Sequence, residues 1–348
     1  MAITHPLRTH VTAPAAVPAP GGLRLALCAT ALIAALPYLV LKLLWVSGVE
    51  VGVHGSAMRG GTMVGVNLLT VGMEAVAGAV ALALVRPWGL RMPAWVLVFP
   101  MWVATGFLAP VVLGAPTAAL AAMVSGQGAV GGGSNSPESL DGWVFALVYG
   151  GFGVQGICLG AGFVLHARAR WGGLFRLALR DLPGTPGTPG RTGMPVDGAR
   201  RVLATGVSVF ALIPISAHLY WAAGGTAGHP ADPDGSASRF ALESVFGLLP
   251  LVGVIGTLIL VHRRDGAPAR WALISAWTGT ATMFAWGLWW QLAGTISTPV
   301  TAGKDLRGVA GVGGAQMLAG AVLATVLALL VVEAAAKQGA AAPVRSER

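Results

Sequence analysis

Residues 24–46 read RLALCATALIAALPYLVLKLLWV, an apolar run broken only by Arg24 at its start and Lys42 near its end. A hydrocarbon core about 30 Å thick takes roughly 20 helical residues to cross, so this run is long enough to span a bilayer. It is apolar on every side and shows no two-residue alternation, so it reads as a helix rather than a barrel strand. In lipid the backbone must satisfy its own hydrogen bonds, and a helix does so within one segment.

The pattern repeats along the chain. Comparable blocks lie at about 62–85, 94–113, 143–165, 202–223, 240–262, 270–291 and 312–333. Only 10% of the 348 residues are charged and 55% are hydrophobic, against about 25% charged in soluble domains. The expected fold is therefore all-α: a polytopic integral membrane helical bundle with eight transmembrane helices. Pro37, Pro100, Pro214 and Pro250 fall inside spans, where neighbouring helices can satisfy the carbonyls that proline frees.

The basic residues orient the chain. Seventeen of the 22 Lys and Arg lie on one side of the proposed spans, seven of them between Arg168 and Arg201, while four lie on the other. Cytoplasmic segments retain positive charge, so both termini are expected in the cytoplasm of a bacterial plasma membrane. The net charge of +9 is spread through loops rather than along one helix face, which argues against nucleic acid as a partner. The expected partners are the lipid bilayer and, beyond it, a second copy or another membrane protein. Cys28 and Cys158 both sit in apolar blocks and read as buried thiols. No cleavable leader is read at the N-terminus, and the first span is expected to act as the insertion signal.

Sliding the second half of the chain onto the first so that Trp221 falls on Trp45 also places Gly224 on Gly48, Gly228 on Gly52 and Trp271 on Trp95. Later in each half Gly314-Ala-Gln316 matches Gly153-Val-Gln155 at a shorter shift, and the difference corresponds to the Gly/Ser-rich stretch 125–139, which the second half lacks. Two similar four-helix halves are expected, at 24–165 and 202–333, related by a pseudo-twofold axis along the membrane normal. Residues 1–23 read as a disordered tail, 166–201 as a basic linker carrying the Pro/Gly run 183–190, and 334–348 as a second tail.

The run His218-Leu-Tyr220-Trp221-Ala-Ala-Gly224-Gly225 resembles a His-x-Tyr-Trp-Ala-x-Gly-Gly signature of small four-helix bacterial membrane proteins, a family known as a domain of unknown function. The resemblance covers the fifth span and its outer end closely, and the rest of that half only in layout. In the first half Lys42 and Leu44 stand where the signature has His and Tyr, while Trp45 and Gly48 are kept. The resemblance implies two fused four-helix units and supplies no activity.

Ionisable side chains inside spans are costly and need a reason. Lys42 and Asn67 lie at similar outer depth in spans one and two, and His218 and Glu243 occupy the corresponding places in spans five and six. Together these four could build an outward-facing polar site at the repeat interface, or they could act separately as interfacial anchors. Glu74 lies roughly 18 Å below the outer end of its span at 1.5 Å per residue. It needs a proton, a partner such as Lys42, or a cavity. Gln155 and Gln316 read as amides that bond across closely packed helices. His166 and His262 fall at inner span ends, where interfacial cations account for them without a haem, and no cofactor is expected. No zinc-protease, paired-carboxylate or nucleophile-elbow motif occurs, so no catalytic residue or metal site is assigned. Three function classes remain, in this order: a structural or accessory membrane protein, a small-solute or proton-coupled transporter, and an enzyme acting on a lipid-soluble substrate.

Overall fold

The computed structural model describes residues 21–53, 60–126, 141–183, 194–229, 237–263, 265–296 and 305–341. Almost all are helical: α1 Gly22–Val46, α2 Gly61–Val85, α3 Ala94–Val124, α4 Gly142–Trp171, α5 Met194–Ala222, α6 Ala237–His262, α7 Ala269–Thr295 and α8 Arg307–Ala341. Seven of them, all but α7, are long and apolar enough to cross a membrane. This is a multi-pass α-helical membrane protein. Several helices outrun their expected spans. α3 continues to Val124 through Pro100, Pro110 and Pro116, and α8 carries on to Ala341 where a tail is expected. Most of the Gly/Ser-rich stretch, the run 184–190, most of the expected N-terminal tail and residues 342–348 lie outside the described residues.

α7 is less apolar because of its packing. Its buried positions include Ala276, Gly279, Thr280, Ala281, Thr282, Met283, Ala285 and Gly287, mostly the small residues that let helix backbones approach closely. A helix enclosed by protein has little need of a lipid-facing apolar surface. No charged residue follows Arg270 along its length.

The first four helices close a ring of contacts, α1 with α2 and α4, and α3 with its chain neighbours; α5–α8 close another. The second ring is the tighter. A Cβ added to Gly279 on α7 would lie 2.3 Å from Gly253 Cα on α6, and one on Gly287 would lie 2.5 Å from Gly313 O on α8. The alignment that sets Trp221 on Trp45 puts Gly253 on Ala77 and Gly279 on Val103, and there α2 and α3 pack only lightly.

The rings meet through α3, which lies against both α6 and α7. Gly106 allows this, since a Cβ there would come within 2.1 Å of Ala281 O. Two reciprocal bonds fasten α3 to α7: Trp102 Nε1 donates to Thr280 Oγ1 at 3.2 Å and Trp277 Nε1 to Thr105 Oγ1 at 3.1 Å. An ideal twofold axis would also set α2 against α7, but no comparable contact exists among the described residues. The junction is one-sided.

The ends of α1 and α5 are built alike. Gly48 (φ 87°) and Gly224 (φ 94°) take the left-handed conformation that closes a helix. Val49 N–H donates to Leu44 O and Gly48 N–H to Trp45 O; Gly225 to Tyr220 and Gly224 to Trp221 repeat the pattern. Beyond each turn the indole of Trp45 donates to Val51 O at 3.0 Å and that of Trp221 to Ala227 O at 2.8 Å.

Part of the expected linker is fixed in place. Leu179 N–H donates to Ala267 O and Ala269 N–H to Leu177 O, which pins the segment to the α6–α7 turn. Leu177, Leu179 and Leu182 are buried there in an apolar cluster with residues of α6, α7 and α8.

Candidate functional site

A buried polar assembly is centred on His218 of α5. Its Nδ1 lies 2.6 Å from Glu243 Oε2 on α6, and its Nε2 lies 3.0 Å from Gln316 Oε1 on α8. The second carboxylate oxygen, Glu243 Oε1, is 3.4 Å from His229 Nε2, in the turn after α5. His218 is 2% exposed, Gln316 1% and Glu243 8%. Nδ1–H donates to the carboxylate. Turned over, the Gln316 amide would present N–H to a lone pair on Nε2, so this contact suits either form of the ring. Three helices are thereby joined, with Gln316 Nε2 left as the one buried atom of these three side chains that has no hydrogen-bond partner.

The residues of the signature run account for this arrangement. Trp221 stands edge-on to both His218 and His229, with ring centres 5.2 Å apart in each case. Gly224 supplies the left-handed turn that brings the chain back over Trp221. At Gly225 a Cβ would lie 2.3 Å from Tyr220 Cζ, so the Tyr220 ring covers a position with no room for a side chain.

The first four helices hold a simpler version. Lys42 Nζ donates to Asn67 Oδ1 at 2.8 Å and lies 5.2 Å and 5.1 Å from the ring centres of Tyr38 and Trp45. Position 229 corresponds to Val53, a buried apolar residue that packs with Trp45. Asn67 is 1% exposed and its amide nitrogen has no hydrogen-bond partner. Further along α2, Glu74 Oε2 accepts from Gln155 Nε2 on α4 at 2.8 Å. A cavity of about 380 Å³ opens beside this carboxyl between α1 and α2.

Lys42 therefore meets Asn67, and His218 meets Glu243, but the four do not form one site. Each pair lies within its own ring, and α1 and α2 make no substantial contact with α5 or α6. Glu74 is held by Gln155 rather than by Lys42. Gln155 and Gln316 both bond across helices, each to an ionisable residue. His166 Nδ1–H donates to Leu84 O and His262 Nε2 lies 3.0 Å from Thr205 Oγ1, so the two imidazoles serve separate helix contacts. His229 is the member that sequence reading missed. Its only signal was its place one residue after Gly228, in the turn that Trp221 closes. Among the described residues no group of three His, Cys, Asp or Glu is placed to hold a metal ion.

Fold and polar network together define a multi-pass helical membrane protein with ionisable groups buried between its helices. Comparison with known proteins finds no family model, no curated protein and no solved structure that matches the chain.

Proposed function

We propose that the chain crosses a bacterial plasma membrane eight times, as two four-helix units of common origin with both termini in the cytoplasm, and serves as a structural or accessory component without turnover. The uncharged length of α7 supports an eighth crossing, and the distribution of Lys and Arg supports the orientation. The matching ends of α1 and α5, with their matching indole bonds, support duplication. The roles of His218, Tyr220, Trp221, Gly224 and Gly225 give physical sense to the signature shared with small four-helix membrane proteins. That supports a relation to them.

One observation carries the functional reading. Both His218 ring nitrogens and both Glu243 oxygens are already engaged, within a site that is almost fully buried. A catalytic acid–base pair needs a face within reach of its substrate, whereas a closed set of mutual contacts fixes how helices pack. Replacing His218, Glu243 and Gln316 together by leucine removes the most buried members of the network at once and takes a carboxylate partner only from His229, whose side chain is 16% exposed at the edge of the site. The triple variant is expected to fold and to complement a deletion strain as the native chain does. A folded triple variant that fails to complement would overturn the structural reading.

A further inference from the structure

The cavity between α1 and α2 has a different character from the His218 network. Leu32, Leu36, Leu39, Val71 and Gly78 line it, and Glu74 is the single ionisable group in its wall. Its volume of about 380 Å³ falls in the range of small-molecule sites, roughly 300–1,000 Å³. Ile33, Leu36 and Leu43 at its rim are all more than half exposed on the outer surface of the helix pair. The opening therefore faces sideways into lipid.

Helix packing accounts for only part of Glu74. Gln155 engages one of its oxygens, and among the described residues no cation is paired with it. Lys42, the nearest basic residue by sequence depth, is bonded to Asn67. The corresponding position in α6 is Pro250, which is buried, so the tighter ring is built without this carboxylate. A carboxyl group in hydrocarbon marks a functional site by default, and its natural complement is a positive charge. The surrounding wall offers only aliphatic contact.

We infer that this cavity is a binding site for lipophilic organic cations that enter laterally from the bilayer, with Glu74 as counter-charge and Gln155 holding the carboxylate in position. The site goes beyond the structural role of the His218 network and does not depend on it.

Full-length protein in nanodiscs tests this with tetraphenylphosphonium, titrated by equilibrium dialysis against empty nanodiscs. Saturable binding above the empty-disc level is expected. Glu74→Gln should weaken it at least tenfold, and uncharged tetraphenylmethane should show no saturable binding. Gly78→Leu, which fills the cavity beside Leu32 and keeps the carboxylate, is the second variant and should also abolish binding. Equal binding by Glu74→Gln or by the neutral analogue would overturn the proposal, as would no saturable binding by native protein. If Glu74→Gln does not fold, unchanged binding by Gly78→Leu would overturn it. Complementation by the triple leucine variant is scored separately, so either reading can fail alone.

Discussion

The polar pair of α1 and α2 and that of α5 and α6 occupy equivalent places, with the same separation in sequence, but they solve the same problem differently. His218 and Glu243 are opposite in kind and recruit Gln316 and His229, which engage both ring nitrogens and both carboxylate oxygens and leave only Gln316 Nε2 without a partner. Lys42 meets only the amide of Asn67 and two aromatic faces, and Asn67 is left with an unpaired N–H. The closed network lies in the ring held by glycine contacts, and the open pair lies where α1 and α2 stand partly apart. Burial of charge and closeness of packing go together, because an ion in a dry interior is tolerable only when its partners are held at bonding distance.

The comparison is exposed first at Glu243. Removing a buried carboxylate leaves its hydrogen-bonded partners unmatched at about 1–3 kcal/mol each, whereas an interhelical hydrogen bond in a membrane protein averages about 0.6 kcal/mol. Glu243→Ala should therefore destabilise far more than Asn67→Ala in denaturant unfolding from mixed micelles. Equal losses would show that the two pairs are not different in kind. The next effect concerns the glycine contact. Gly279→Val forces α6 and α7 apart and should cost about 3 kcal/mol, at the upper end for overpacking. Val103→Leu, at the matching place in α3, should shift the same unfolding curve by less than about 1 kcal/mol, since a small change of volume in a looser contact is tolerated. The smallest effect should be common to both rings. Trp45→Phe and Trp221→Phe each delete one indole bond, worth about 1 kcal/mol, and their losses should agree. A Trp221→Phe loss several times larger would mean that its contacts with His218 and His229 matter more than the shared turn.

Much of this was legible in the sequence. Apolar blocks placed the helices, and the common spacing set Lys42 level with Asn67 and His218 level with Glu243. Rotation about a helix axis is not written in spacing, so the sequence could not separate one four-residue site from two isolated pairs. Nor could it assign Gln155 to Glu74, a contact between helices far apart in the chain. The block at 270–291 was legible, but its enclosure by other helices was not, because packing partners are not written in hydropathy. The docking of Leu177, Leu179 and Leu182 escaped notice for a similar reason. A short segment held by backbone bonds to a distant turn has no periodicity of its own. The twofold expectation followed from the alignment of Trp221 on Trp45, but similar units do not have to meet symmetrically.

The one-sided junction also sets an order of events during synthesis. Trp102 finds its partner Thr280 only 178 residues later, which at about 5–20 residues per second is a delay of roughly 9–36 seconds. Until α7 arrives, the α3 face that Gly106 leaves bare has only lipid tails or translocon against it. A chain halted before α7 would thus retain a membrane-embedded surface shaped for a helix it does not yet possess.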